Sequence, residues 1–424
     1  MKRSEYYSKV RIRWLISLML LGIMFINFFQ TEPECSNLYF RRSNITFIEG
    51  VEYLNVSGSK IDIPNDYIIH KEKVIEYVPH DPNPLIIDSL TEQYYLSNHM
   101  NLTTLEEIIH FDEKLDGTWY CLKDLYANVY GSYTDGYSVL VPSQWNFRGT
   151  QMDLYAHGSG NVSDHYDSVI ALGNFVVTYY GHWFFDVLAP LMMFPDEVIA
   201  TSSIILGNTK PYVYETLYAL GMKDSQFITI DQGDWIFAHK LYVVADPGPH
   251  VTHMGAALTK LSSKLLKAFN IKEKVPTKYV LTNRKSSYRR TIPNLAEIYY
   301  NIKKTYPQYD WIIIPDNFPT VKETARVWSD IKVLFTPTGS NLVRILFMMP
   351  GAVICDVQAN YNDYAMEAIA ICRHIKILVF AVPYTDHFTE KLDVSVEESM
   401  RMMKVVMYCA EHGDWPEKSA EYQY

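Results

Sequence analysis

The chain has 424 residues, 48% hydrophobic and 20% charged, with a formal net charge of −10. That length accommodates two ordinary domains with separate cores, and the acidic balance argues against non-specific nucleic-acid binding. No basic stripe, zinc-finger spacing, RNA-binding signature, internal repeat or long low-complexity tract is visible.

The first element is an apolar run. Lys2, Arg3, Lys9, Arg11 and Arg13 precede the uncharged stretch WLISLMLLGIMFINFF, residues 14–29. At ~1.5 Å per residue it spans about 24 Å, which crosses a ~30 Å hydrocarbon core with local thinning and interfacial Trp and Phe. A cleaved signal peptide competes, but the small residues of a cleavage site are missing from FINFFQTEPE. The run is therefore expected to be a type II signal anchor, with residues 1–13 a cytosolic tail and the remainder lumenal. A short span suits Golgi or endoplasmic reticulum membrane better than plasma membrane. Sequons at Asn44, Asn55, Asn101 and Asn161 all lie beyond the run. Cys35, Cys121, Cys355, Cys372 and Cys409 form no CxxC, which speaks against a zinc ribbon or thioredoxin-like site. In an oxidising lumen one or two disulfides with at least one leftover thiol are expected, Cys355 being either a buried thiol or a short cross-link.

Residues 30–80 are polar and read as a stem with at most one early strand pair, followed by the linker cluster DPNP. An N-terminal α/β domain, on the acceptor side, is expected over 81–270. Its strand candidates are YSVLVP, SVIALGNF, SSIILG and KLYVVAD; its helix candidates are HWFFDVLAPLMMF and KPYVYETLYALG. An amphipathic helix from Gly255 carries Leu258, Leu261, Leu265 and Phe269 on one side. A C-terminal Rossmann-like domain is expected over 271–385, where KYVLTN, DWIIIPD, IKVLFTP, AVICDV and IKILVFAVP alternate with helical segments. Short apolar runs between helices indicate a parallel sheet covered on both faces, with ligands at the C-terminal ends of its strands. Residues 386–424 form a return helix and tail, with Met400, Met403, Val406 or Met407, and Ala410 on one face.

Three segments can carry chemistry. In YYGHWFFDVLAPL, His182 and Asp186 stand at i and i+4 and share a helix face. Either can take a proton from an attacking hydroxyl; the bland alternative is an Asp186 that merely fixes His182. In YVLTNRKSSYRRTIPN, Arg284, Lys285, Arg289 and Arg290 cluster after a strand end, where Arg forks suit phosphate; a solvated basic loop is the competing reading. In LFTPTGSNLVRILFMMPG, a helix opens on Gly339, Ser340 and Asn341 and carries Arg344 one turn later. Its N-terminal N–H groups can bind an anion, although GxGxxG and Walker motifs are absent. Glu323, one helix earlier, is a candidate acceptor for ribose hydroxyls. His250 and His253 do not make a convincing metal site, and no G-x-S-x-G elbow supports a Ser-His-Asp hydrolase.

In this order the segments resemble glycosyltransferase family 61. HWFFDVLAP matches a family pattern at His182, Trp183, Asp186, Leu188 and Pro190. RKSSYRRTIPNLAE matches at Arg284, Arg290, Ile292, Asn294 and Glu297. KETARVW followed by GSNLVRILFMMPG matches at Gly339, Leu342, Phe347, Pro350 and Gly351. Thr338 replaces a frequent His, and Arg344 a usual Asn. The resemblance covers about residues 170–360. It implies an α/β, GT-B-like architecture of two facing Rossmann-like doubly wound domains. It also implies inversion at the anomeric carbon, a UDP-sugar donor, a glycan or glycoprotein acceptor and no required cofactor or metal. No Asp-X-Asp occurs in the sequence. On this reading Asp186, or His182 in its place, is the base; Arg284, Arg290, Gly339, Ser340, Asn341 and Arg344 line the diphosphate, and Glu323 meets the ribose. The alternatives are an inactive glycan-binding module on the same fold, or a two-carboxylate glycosidase, for which no carboxylate pair argues.

Overall fold

The computed structural model describes residues 46–48, 51–58, 60–74, 85–87, 117–141, 158–173, 177–245, 255–286, 288–359, 365–382, 390–417, 419 and 422. The expected anchor, Cys35, His250, His253 and the sequons at Asn44 and Asn101 lie outside the described residues. Among the described residues no helix is long and apolar enough to cross a membrane.

Two sheets organise the chain. The first contains β1 (Thr46–Ile48), β2 (Val51–Val56), β3 (Lys60–Asp62) and β4 (Ile68–Val74). It continues with β6 (Gly117–Ala127), β7 (Tyr133–Thr134), β8 (Val139–Val141), β9 (Gly158–Ile170), β10 (Ser203–Ile205), β11 (Phe227–Ile228) and β12 (Trp235–Ala245). Part of the segment read as stem thus builds this sheet: β2 pairs with β9, β3 with β8 and β4 with β6. The sheet is also not the doubly wound parallel one expected. β12 lies parallel to β9 but antiparallel to β6 along nine paired residues, and the β2–β9 and β4–β6 pairings are antiparallel. The longest of these pairings was hidden because Lys123 and Asp124, the latter at φ 53°, interrupt the apolar run of β6.

The second sheet is parallel throughout. β5 (Leu85–Ile87) is donated from the N-terminal half; the others are β13 (Lys278–Thr282), β14 (Trp311–Ile314), β15 (Ile331–Pro337), β16 (Val353–Gln358) and β17 (Lys376–Ala381). Their spatial order is β14-β13-β15-β16-β17-β5. The order reverses between β13 and β15, so the loops after these two strands diverge and leave a crevice between them.

Helices fill the space around and between the sheets. α1 starts as a turn at Tyr180–Trp183, widens into a π-helical turn at Phe184–Leu188 and closes at Ala189–Leu191. α2 (Asp196–Thr201), α3 (Pro211–Ala219), α4 (Gly255–Ala268), α5 (Leu295–Thr305), α6 (Val321–Trp328), α7 (Ala365–Cys372) and α8 (Val396–His412) follow, with a 3₁₀ helix at Ser340–Phe347. The stripe expected on α4 holds: Leu258, Leu261, Leu265 and Phe269 are buried. Phe347 packs edge-on against Phe184 of α1, with ring centroids 6.3 Å apart, and against Phe269, so one core joins the two sheets' helices. α8 begins with a Ser395/Glu398 capping box, ends at a left-handed Gly413, and buries Met402, Met403, Val406 and Met407 against the second sheet.

Glu215 of α3 makes a second tie. Its two carboxylate oxygens accept from the N–H groups of Val321 and Lys322, each at 2.8 Å. These are orphan donors at the positive end of α6. Cys121, Cys355, Cys372 and Cys409 are buried and none of them is in a disulfide, so the disulfides expected from the sequence are not formed among the described cysteines. Burial pushes the thiol of Cys409 up to about 12 and raises those of Cys121 and Cys355.

Two measurements check this packing. Glu215→Ala is expected to lower stability in urea unfolding by about 1–2 kcal/mol, the worth of a helix cap with full charge. In a Cys35→Ser chain, iodoacetamide at about pH 8 should label none of the remaining thiols until denaturant is added, as counted by mass spectrometry.

Candidate active site

The site forms where the loops after β13 and β15 diverge, with α1 lying across it. Asn283 shapes the first loop. Its Oδ1 accepts from the N–H groups of Arg284 and Ile292, both at 3.0 Å, and its Nδ2 donates to the Ile292 carbonyl at 2.8 Å. Thr291 adds a hydroxyl bond to the Lys285 carbonyl at 2.7 Å. This bracing holds Arg290 at φ 61°, a left-handed conformation unusual for a long side chain, while its N–H donates to the Glu390 carbonyl at 2.7 Å. Arg290 is buried; Lys285 and Arg289 remain exposed.

The second loop meets these arginines at Gly339. A Cβ placed there would stand 2.7 Å from Arg284 Nη1 and 3.8 Å from Arg290 Cζ, and the residue's φ of 145° suits glycine. The missing side chain is what lets the Arg284 guanidinium press against the turn, with that of Arg290 in van der Waals range of the same point. Several donors here have no hydrogen-bond partner among the described residues: Arg284 Nε and Nη1, and the hydroxyl of Thr338. Buried donors are nearly always satisfied, so this concentration marks a place built for an acceptor-rich ligand. Burial lowers the pKa of Arg284, and the charge of nearby Asp316 partly restores it.

α1 closes the site from the other side. A Cβ on Gly181 would come within 3.2 Å of Ser340 Cβ, so α1 and the Gly339 turn touch at a second glycine. The π-helical turn carries Asp186, whose Oδ2 lies 2.8 Å from His182 Nδ1. With the carboxylate ionised, Nδ1–H is the donor, and the ring presents Nε2 as its basic nitrogen. The Asp186 side chain is 1% exposed and that of His182 23%, so Asp186 stands behind His182 rather than in front of it. π-turns of this kind recur at functional sites.

The structure thus brings together His182, Asp186, Arg284, Arg290, Gly339, Ser340, Asn341 and Arg344. Glu323 is set apart: it is exposed on the first turn of α6, where its N–H bonds the Thr320 hydroxyl, and no described contact joins it to the arginines. Arg344 is not displayed at the helix start. It is enclosed by Tyr180, Phe318 and Trp328, with its Nη1 3.9 Å from Asp316 Oδ1. Asn341 Nδ2 also donates to Asp316 Oδ1. Sequence reading passed over Asp316 and Gly181. Asp316 was findable as a carboxylate just beyond the C-terminal end of a parallel strand, in IIIPD, whereas nothing local flags Gly181. Among the described residues no three His, Cys, Asp or Glu side chains are grouped as a metal would require.

A switch-point crevice with unsatisfied arginine donors, walled by the helix of a His–Asp pair, can bind an anionic group and offers a proton acceptor on the adjoining helix. Residues 180–355 match the family model Glycosyltransferase 61, and over this span the chain carries a glycosyltransferase family 61 domain. The match opens on Tyr180 at the head of α1 and ends in β16, so it encloses both walls of the crevice. No curated protein matches the chain.

A pair of glycine substitutions tests the close approach at Gly339. Gly339→Ala and Gly351→Ala both force alanine into positive φ, which costs about 1–2 kcal/mol or more, but the added methyl at Gly351 meets open space. Gly339→Ala should destabilise more than Gly351→Ala in parallel urea titrations, because a backbone at φ 145° and ψ −175° is essentially closed to side chains, whereas the left-handed φ of 82° at Gly351 is only unfavourable, and the Gly339 methyl also displaces Arg284 Nη1.

Proposed function

We propose that this glycosyltransferase is an inverting enzyme that moves a sugar from a UDP-sugar to a hydroxyl of a glycan or glycoprotein. The observation that carries the reading is the convergence of Arg284 and Arg290 on Gly339, with the helix of the His182–Asp186 pair packed on the next residue, Ser340, through Gly181. Arg284, Arg290 and the N–H groups of the Gly339–Ser340–Asn341 turn hold the diphosphate. As the glycosidic bond to UDP breaks, negative charge grows on the departing phosphate oxygen, and these fixed donors offset it. Their cationic charge supplies the stabilisation for which other transferases use a metal ion, which is the reason to propose metal-independent transfer. Glu323 is the proposed partner of the ribose hydroxyls, on the first turn of the helix that follows β14.

Of the two candidate bases, burial favours His182. Its Nε2 accepts the proton of the acceptor hydroxyl as that oxygen attacks the anomeric carbon from the face opposite UDP. Asp186 holds the tautomer and stabilises the imidazolium that forms. In-line displacement inverts the anomeric centre. We further propose a Golgi or endoplasmic reticulum location, as a type II membrane protein anchored by residues 14–29 with its catalytic region in the lumen. The cationic flank and apolar run support this, as do the sequons; of these Asn161 is exposed on β9.

The test uses the full chain, with transfer assayed across a panel of UDP-sugars and UDP binding measured by calorimetry. His182→Ala should lower kcat by about 10²–10⁴-fold while UDP affinity changes little. Arg290→Ala should weaken UDP binding by about 10–100-fold, the worth of a charge-assisted hydrogen bond. A His182→Ala enzyme that transfers at the normal rate removes the base assignment. Failure of every UDP-sugar to support transfer removes the donor.

A further inference from the structure

The guanidinium of Arg344 is held differently from those of Arg284 and Arg290. It lies 5.6 Å from the ring centre of Tyr180, 5.8 Å from that of Phe318 and 5.7 Å from that of Trp328, and the residue is 5% exposed. The three rings come from α1, the loop after β14 and α6. A planar cation among aromatic rings is held by their quadrupoles, and its faces are closed to a bulky anion. The counter-charge is Asp316, with Oδ1 3.9 Å from Arg344 Nη1. The same oxygen accepts from Asn341 Nδ2, and Asn341 stands two residues after Gly339. At the other end, the Arg344 guanidinium stands over the Tyr180 ring, and Tyr180 stands two residues before His182. A continuous line therefore runs Tyr180–Arg344–Asp316–Asn341, from the helix carrying the His–Asp pair to the turn that gathers the arginines.

We propose that Arg344 and Asp316 are a positioning pair, which sets the distance between the proton-accepting helix and the diphosphate-binding turn without touching the donor. The proposal rests on reading the crevice as the donor site. Two facts favour positioning over ligand binding. Arg344 is sealed by side chains from both walls of the crevice, so each wall fixes the other through it. Asp316 already spends one oxygen on Asn341 and Arg344 together, so neutralising either partner lets the turn, with its diphosphate contacts kept, shift relative to α1. Transfer in line tolerates little error: a misplacement of about 1 Å between nucleophile and anomeric carbon costs on the order of a hundredfold in rate, while diphosphate contacts survive it.

The test is a cycle of Arg344→Met, Asp316→Asn and the double variant in the full chain, with Arg344→Lys alongside. For each, UDP dissociation constant and kcat are measured. The single variants should lower kcat by at least about tenfold and weaken UDP binding by no more than about threefold. The double variant should be no slower than the slower single, because the two side chains act as one unit. Arg344→Lys keeps the charge but loses the planar fork, and should fall between wild type and Arg344→Met. A tenfold loss of UDP affinity in Arg344→Met makes Arg344 a donor ligand and overturns the proposal. Unchanged kcat reduces the pair to packing, and multiplicative losses in the double variant separate the two residues; either result also overturns it. Should Arg344→Met not fold, Arg344→Lys and Asp316→Asn carry the same comparison. A wild-type chain that does not bind UDP removes the donor reading, and this proposal with it; that result is read before any variant is made.

Discussion

The structure turns on the approach of two guanidinium groups to a residue that has no side chain. Arg284 Nη1 reaches Gly339 into the space a Cβ would fill, with the Arg290 guanidinium beside it. A buried cation is costly unless it meets matching charge or acceptors, so side chains brought together in this way constrain everything around them. Asn283 spends both ends of its amide on bracing the loop, and Arg290 is held in a left-handed backbone conformation. The parallel order of the second sheet makes the meeting possible, since β13 and β15 are neighbours and their following loops lead in opposite directions.

The second half of the site comes from the other side of the molecule. α1 follows β9 of the first sheet, yet Gly181 packs on Ser340 and Phe184 packs on Phe347 of the second. Glu215 adds a helix cap between α3 and α6, and Ser262 of α4 donates to the Leu346 carbonyl. The His–Asp pair and the arginines thus come from separate scaffolds joined by one core. That arrangement suits transfer between two substrates, with leaving-group stabilisation on one wall and proton acceptance on the other.

Local sequence was a good guide to the second sheet and a poor one to the first. Strands β13 to β17 are short apolar runs bounded by helices and turns, and each stands where its run predicts. β9 reads GSGNVSDHYDSVI, with polar residues at most positions before its apolar end, because much of it faces solvent. β3 and β4 carry too few apolar residues to stand out from a stem. The cysteines show the same limit: counting them in an oxidising setting suggested cross-links, but pairing depends on which strands and helices become neighbours, and the four described thiols are apart and buried.

Residue type and spacing determined by themselves that His182 and Asp186 share a face, that Arg284 and Arg290 flank one strand end, and that Gly339 begins a turn. These relations span a few residues, where helix and turn geometry leaves little freedom. Only the tertiary structure decided that Asp186 lies behind His182, that Gly181 touches Ser340, and that Arg344 is enclosed by three rings and paired with Asp316. Apart from the His182–Asp186 pair itself, the separations involved run from 16 to 164 positions along the chain. Contacts at that range are set by sheet order and by the packing of whole elements, and a pattern within a window of one helix or strand carries no information about them.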